Sequence, residues 1–252
     1  MMRHFLLPVT LLIFSSPYLH AQNPFETLKT VHFEVKYEKG VPELDARQVA
    51  DYLEEDYTYL NKQTGLELQQ PLVVRLYASL GSYISQSKMK KTWRGGFYER
   101  GVFHLQPVES LLKRKIMEQT LSFEFATAML DEVGRKGCPR WLREAFAVSY
   151  CGEMAGLTPA YGMLISYFSD LDQIIEQYPD PPKRDDVHFV LGHTMKFIVD
   201  RYGEDRANGV FKAFDGVTGV EEVFSRQFKE SYVAIEKAWA AYISTQTQKL
   251  KK

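Results

Sequence analysis

Glu118-Gln119-Thr120-Leu121-Ser122-Phe123-Glu124-Phe125-Ala126-Thr127-Ala128-Met129-Leu130, followed shortly by Cys138-Pro139-Arg140-Trp141-Leu142-Arg143-Glu144-Ala145-Phe146-Ala147-Val148, is the stretch on which the fold turns. The first segment lies inside a run with helical apolar spacing at 112–133 and the second enters another at 140–152, which predicts two consecutive helices. On the first, Thr120, Glu124, Thr127 and Asp131 fall at spacings of four, three and four, which taken alone is the solvated stripe of an otherwise apolar helix. On the second, Glu144 stands between Arg140 and Arg143, where a helix-surface ion pair is its plain structural role.

Upstream, Val31 to Tyr37 alternates apolar and polar residues as a half-buried strand does. Residues 44–63 carry Val49, Leu53, Tyr57 and Leu60 on one helical face, and Leu72 to Tyr77 forms a second strand. The order strand, helix, strand predicts a parallel or mixed sheet with a helix across one face. Two short runs flank the turn-forming Gly101, a hairpin in which Val102, Phe103, His104 and Leu105 are expected at the sheet edge. Trp93, Tyr98 and Phe103 are candidates to line a groove there, although ring packing under a covering helix accounts equally well for such residues.

Downstream, residues 158–178, 186–202, 204–214 and 229–245 show helical spacing, with Thr158-Pro159 as a helix start and Tyr178 to Pro182 as a stop. The expected fold class is α+β: a small mixed sheet with helices over 22–110, then a mainly helical lobe over 111–245, then a polar tail at 246–252.

The chain has 252 residues, 45% hydrophobic and 25% charged, a globular composition. A net charge of −1 removes the electrostatic footprint of a general nucleic-acid binder, and the cluster from Lys88 to Lys91 is too short to restore it. Residues 1–21 place Arg3 and His4 before an apolar run from Phe5 to Phe14 and end in Leu19-His20-Ala21. That layout is a secretory signal peptide cleaved near Ala21, which predicts an exported mature chain, periplasmic or secreted, without a transmembrane segment. Cys138 and Cys151 would stand at opposite ends of one helix, roughly 18 Å apart at 1.5 Å per residue, and are expected as buried free thiols.

The paired segments resemble the two active-site helices of the peptidase MA-like zinc metallopeptidases, the gluzincins. In that family the first helix carries H-E-x-x-H, two zinc-binding histidines one turn apart with the general-base Glu between them. The second carries P-x-W-x-x-E-G/A-x-A, whose Glu is the third ligand. Glu124 matches the general base and Glu144 the third ligand, and Pro139, Trp141, Ala145 and Ala147 match the second pattern. At the two histidine positions stand Phe123 and Thr127. The resemblance spans roughly residues 28–245 and implies a zincin-like fold whose edge strand pairs with an extended substrate.

Phe123 has no lone pair to give a metal, and Thr127 has only a neutral hydroxyl. The resemblance therefore implies a pseudopeptidase with no bound cofactor, in which Glu124 is a vestigial base and an extended peptide or protein partner occupies the former substrate cleft. An active metallopeptidase is the alternative, with zinc held by Glu124, Glu144 and His188 or His193, though these histidines are five apart and share a helix face poorly. A structural component of the cell envelope, its cleft filled by Phe123 and Phe125, is a third reading. Ser122 and Ser149 lack a nucleophile-elbow setting.

Overall fold

A computed structural model describes residues 24–88, 94–132, 137–152, 166–178 and 183–249. The leader at 1–21, Trp93, residues 89–91 of the lysine cluster, the Thr158-Pro159 start, the prolines at 179–182 and residues 250–252 lie outside them.

The first half of the chain builds a five-stranded mixed sheet. It contains β1 (Phe25–Lys29), β2 (Phe33–Glu38), β3 (Leu72–Leu76), β4 (Gly96–Glu99) and β5 (Val102–Leu105), in the order β1-β2-β3-β5-β4. The two inner pairings, β2 with β3 and β3 with β5, are parallel, and the outer strands β1 and β4 are antiparallel to their neighbours. Between β2 and β3 runs α1 (Glu43–Thr64), which buries Val49, Leu53, Tyr57 and Leu60 as its spacing predicts. It stops at Gly65, whose φ of 60° is the left-handed conformation that lets a helix end without a side-chain clash.

One face of the sheet is apolar. Phe33 and Val35 from β2, Leu72, Val74 and Leu76 from β3, and Phe103 and Leu105 from β5 join the main core beneath the helices. The other face carries a smaller cluster of Tyr77, Tyr83 and Phe97 beneath α2 (Leu80–Ser87). His104 points to that side, where it stacks on Phe97 at 4.8 Å and bonds the Tyr77 hydroxyl through Nδ1 at 2.6 Å.

The hairpin forms as expected, but its strands exchange roles. Arg100 and Gly101 both have positive φ, 51° and 80°, and turn the chain in two residues so that Glu99 faces Val102. Because β5 also lies parallel to β3, Val102 to Leu105 is paired on both flanks, and the sheet edge is β4. The turn at Gly101 marks two strand-like runs; the parallel crossover, a long-range contact, decides which is outermost.

The second half is helical: α3 (Val108–Arg114), α4 (Met117–Glu132), α5 (Arg140–Tyr150), α6 (Phe168–Gln177), α7 (Lys183–Tyr202), α8 (Glu204–Gly209), α9 (Val220–Phe228) and α10 (Tyr232–Lys249). The single run expected at 112–133 is two helices, interrupted where Lys115 takes φ 57°. The expected polar tail continues α10 to Lys249. α4 is buried nearly all round, with Leu121, Phe125, Ala126, Ala128, Met129 and Leu130 at 0% exposure between α1, α5 and the sheet. α5 packs most extensively on α7, with Trp141 stacked on Phe168 of α6 at 4.7 Å. Cys138 is buried as expected, whereas Cys151, just past the end of α5, is only partly so.

Candidate functional site

The polar stripe of α4 is not solvated along its length: Glu124 is buried, Thr120 and Thr127 are half-buried, and Asp131 at its end is exposed. The stripe faces a cleft between α4, β4 and α5, so the solvated-surface reading of Glu124 gives way to a cleft-lining one. Thr120 and Glu124 line a cavity of about 200 Å³ together with Arg94, Arg114, Phe123, Asp185 and His188. Glu124, Thr127 and Asp131 line an adjoining cavity of the same size with Arg94, Tyr98, Phe123, Arg140, Arg143 and Glu144. A third hollow of about 480 Å³ shares Arg94, Phe97 and Tyr98 and extends to Ser87, Lys88, Glu99 and Arg100. The last two border β4, and the first adjoins it at Gly95.

Glu124 is 5% exposed and accepts a hydrogen bond from the Tyr98 backbone N–H at 3.2 Å. That amide points away from β5, so Glu124 holds a donor of the sheet edge that a further strand would use. Burial drives the Glu124 carboxyl up to about 7, and neighbouring Glu144 adds to the rise. Arg94, the Tyr98 N–H and Arg184 pull the other way without outweighing burial. The contact between β4 and α4 is close because Gly95 has no side chain: a Cβ there would overlap Thr120 and Leu111.

Glu144 is equally buried, at 7% exposure, but differently served. Its Oε1 accepts from Arg140 Nε at 2.8 Å and its Oε2 accepts from Arg184 Nη2. Burial pushes this carboxyl up, yet the two guanidiniums outweigh it and hold Glu144 below the usual carboxylate range. Glu144 lines the cleft and pairs with Arg140 as its spacing expects, but the pair is not a surface one, because the carboxylate is buried. Arg143 pairs with Asp131 across the mouth of the cavity. The first turn of α5 is fixed from α6, where Asp172 accepts the Trp141 N–H at 2.7 Å.

Phe123 walls both small cavities and stacks on the His188 ring at 5.6 Å. Thr127 donates its hydroxyl to the Phe123 carbonyl at 2.9 Å, one turn back. His188 therefore reaches the cleft, while His193 turns to α10 and bonds Tyr242 at 3.2 Å. His104 lies on the far side of the sheet, where burial and Arg75 push its imidazole down to about 4. Among the described residues no three His, Cys, Asp or Glu side chains converge as a metal-binding group. The ligand set that the family resemblance implies does not fit a catalytic zinc: a phenyl ring and a back-bonded hydroxyl occupy two positions, and guanidinium donors occupy both oxygens of the third.

Arg184, Arg94 and Asp172 are absent from the sequence reading of the site. The helix expected at 186–202 begins at Lys183, so Arg184 falls outside the expected span. No helix among the described residues is long and apolar enough to cross a membrane. No protein-family model matches the chain, and no curated protein is similar enough to lend it a function.

Proposed function

We propose that this chain is an exported, zincin-like relative of the peptidase MA-like metallopeptidases that has kept a substrate cleft without a catalytic metal, and that it binds an extended peptide or a strand of a protein partner along β4. The observation that carries the reading is the pairing of a sheet edge with a buried acid across an open cleft: Tyr98 of β4 bonded to Glu124 of α4. A peptide carbonyl entering the cleft would replace Glu124 on the Tyr98 N–H, and its own amides would meet the outward carbonyls of β4. Main-chain pairing of this kind needs no metal. Hydrolysis is a different matter, because a carboxylate alone does not make water nucleophilic enough to attack an amide.

The cavities on both sides of Phe123 support a groove over a filled structural cleft. Phe125 packs into the core against Phe33 at 5.5 Å and takes no space in the cleft. A rewired metal site is supported only by His188, since His193 faces away.

Selection from a library of linear peptides tests the proposal. A selected peptide is expected to bind the mature chain, to shift the backbone amide resonance of Tyr98, and to lose its affinity when alternate backbone nitrogens are methylated. Absence of any binding at millimolar peptide, or equal binding of the methylated form, would overturn it.

A further inference from the structure

The two guanidiniums on Glu144 differ in standing. The Arg140 side chain is 48% exposed and keeps much of its hydration, whereas that of Arg184 is 3% exposed and has exchanged water for the carboxylate. A guanidinium buried to that degree persists only while paired. Arg184 also sits in the first turn of α7, at the unfavourable end of the helix dipole for a cation. Glu144 is what holds it there, and the pair ties the start of α7 to α5.

Residues 123 and 127 lie one turn apart on α4 and line the same cavity as Glu144. Two positions at i and i+4 on one helix, with a carboxylate from the next, are the frame of a three-ligand zinc site on general chemical grounds. Missing imidazoles are therefore only part of what separates this cleft from a metal site. A divalent cation approaching Glu144 would first have to displace Arg184, then remain beside a buried guanidinium stripped of its partner. Arg94, close enough to Arg184 to disfavour its charge, adds a further positive group.

We infer that Arg184 is a built-in replacement for a metal: it neutralises Glu144, ties α7 to α5, and bars divalent cations, so that supplying the two imidazoles does not by itself create a metal site. This rests on the metal-free reading of the cleft and extends it to a residue far outside the paired motifs.

The test is metal content of the full mature chain, purified without a histidine tag and dialysed against micromolar zinc, in wild type, Phe123→His/Thr127→His, and the same double variant with Arg184→Met. The double variant is expected to hold less than about 0.1 zinc per chain and the triple variant about one, a gain of roughly tenfold from one uncharged side chain. Cobalt(II) should give the visible absorption of a low-coordinate site in the triple variant alone. Should Arg184→Met fail to fold, Arg184→Gln in the double background keeps a hydrogen bond to Glu144 without the charge and is expected to admit zinc. Equal zinc in the double and triple variants overturns the inference, as does a cooperatively folded triple or Gln variant that stays empty. One zinc per wild-type chain would instead sink the metal-free reading itself, so the two failures are separable.

Discussion

Glu124→Gln should stabilise the protein at neutral and alkaline pH and leave it unchanged in acid. The carboxyl ionises near 4.5 in an ordinary setting and near 7 when folded. Below pH 4.5 both folded and unfolded chains carry it protonated, and it contributes no pH dependence. Between pH 4.5 and 7 the unfolded chain releases the proton while the folded chain retains it, so stability falls as pH rises. Above pH 7 the folded chain ionises too, and the deficit levels off. A gap of 2.5 pK units (7 minus 4.5) corresponds to about 3 kcal/mol at 1.36 kcal/mol per unit. Glutamine keeps the acceptor for the Tyr98 N–H and removes the charge, so that deficit should disappear. Urea unfolding of both proteins at half-unit steps from pH 4 to 8.5 reads the difference. Converging curves at pH 4.5 and a Gln variant more stable by about 2–4 kcal/mol at pH 8 are expected. A difference that is flat with pH, or a wild type more stable at pH 8, would show that Glu124 is not held neutral by burial.

The other predictions concern the supports of the cleft. Arg184→Ala should cost about 3–5 kcal/mol by leaving buried Glu144 with only the half-exposed Arg140, whereas Arg140→Ala, which leaves the buried partner in place, should cost about 1 kcal/mol or less; urea midpoints at constant slope distinguish them. Gly95→Ala should lower the melting temperature and weaken peptide binding together, because its Cβ would push β4 away from Thr120; unchanged melting would mean that the edge has room to spare. His104 should act in the opposite sense to Glu124. Its imidazole is pushed down to about 4, so its contribution is present above pH 6.5 and lost as pH falls towards 4, and His104→Gln should flatten the acid limb of the stability profile.

Much of the frame was legible from periodicity. The strand at 33–38 follows from alternation, the helix at 43–64 with its four buried stripe residues from helical spacing, and the strand at 72–76 and the hairpin about Gly101 from apolar runs bounded by turn residues. Where the sequence reading failed, the deciding contact was distant. Alternation does not distinguish an edge strand from an inner one, and only the parallel pairing of Val74 with Phe103 moves β5 inward. The same holds for α4, where Glu124, in a polar stripe that resembles an exposed one, is buried by β4 and α5. The short elements β1, α2 and α9 have no counterpart among the expected ones. In the candidate site, Glu124 and Glu144 were marked by the residues around them. Arg184 was not, because its partner lies 40 positions away and no local pattern links the two.

Peptide affinity with and without metal tests the central claim. The selected peptide would be titrated into mature chain stripped by a chelator, and again into chain equilibrated with micromolar zinc. One binding site and the same Kd are expected in both, with no cleavage of the peptide. Binding that vanishes on chelation, or cleavage that appears with zinc, would contradict it.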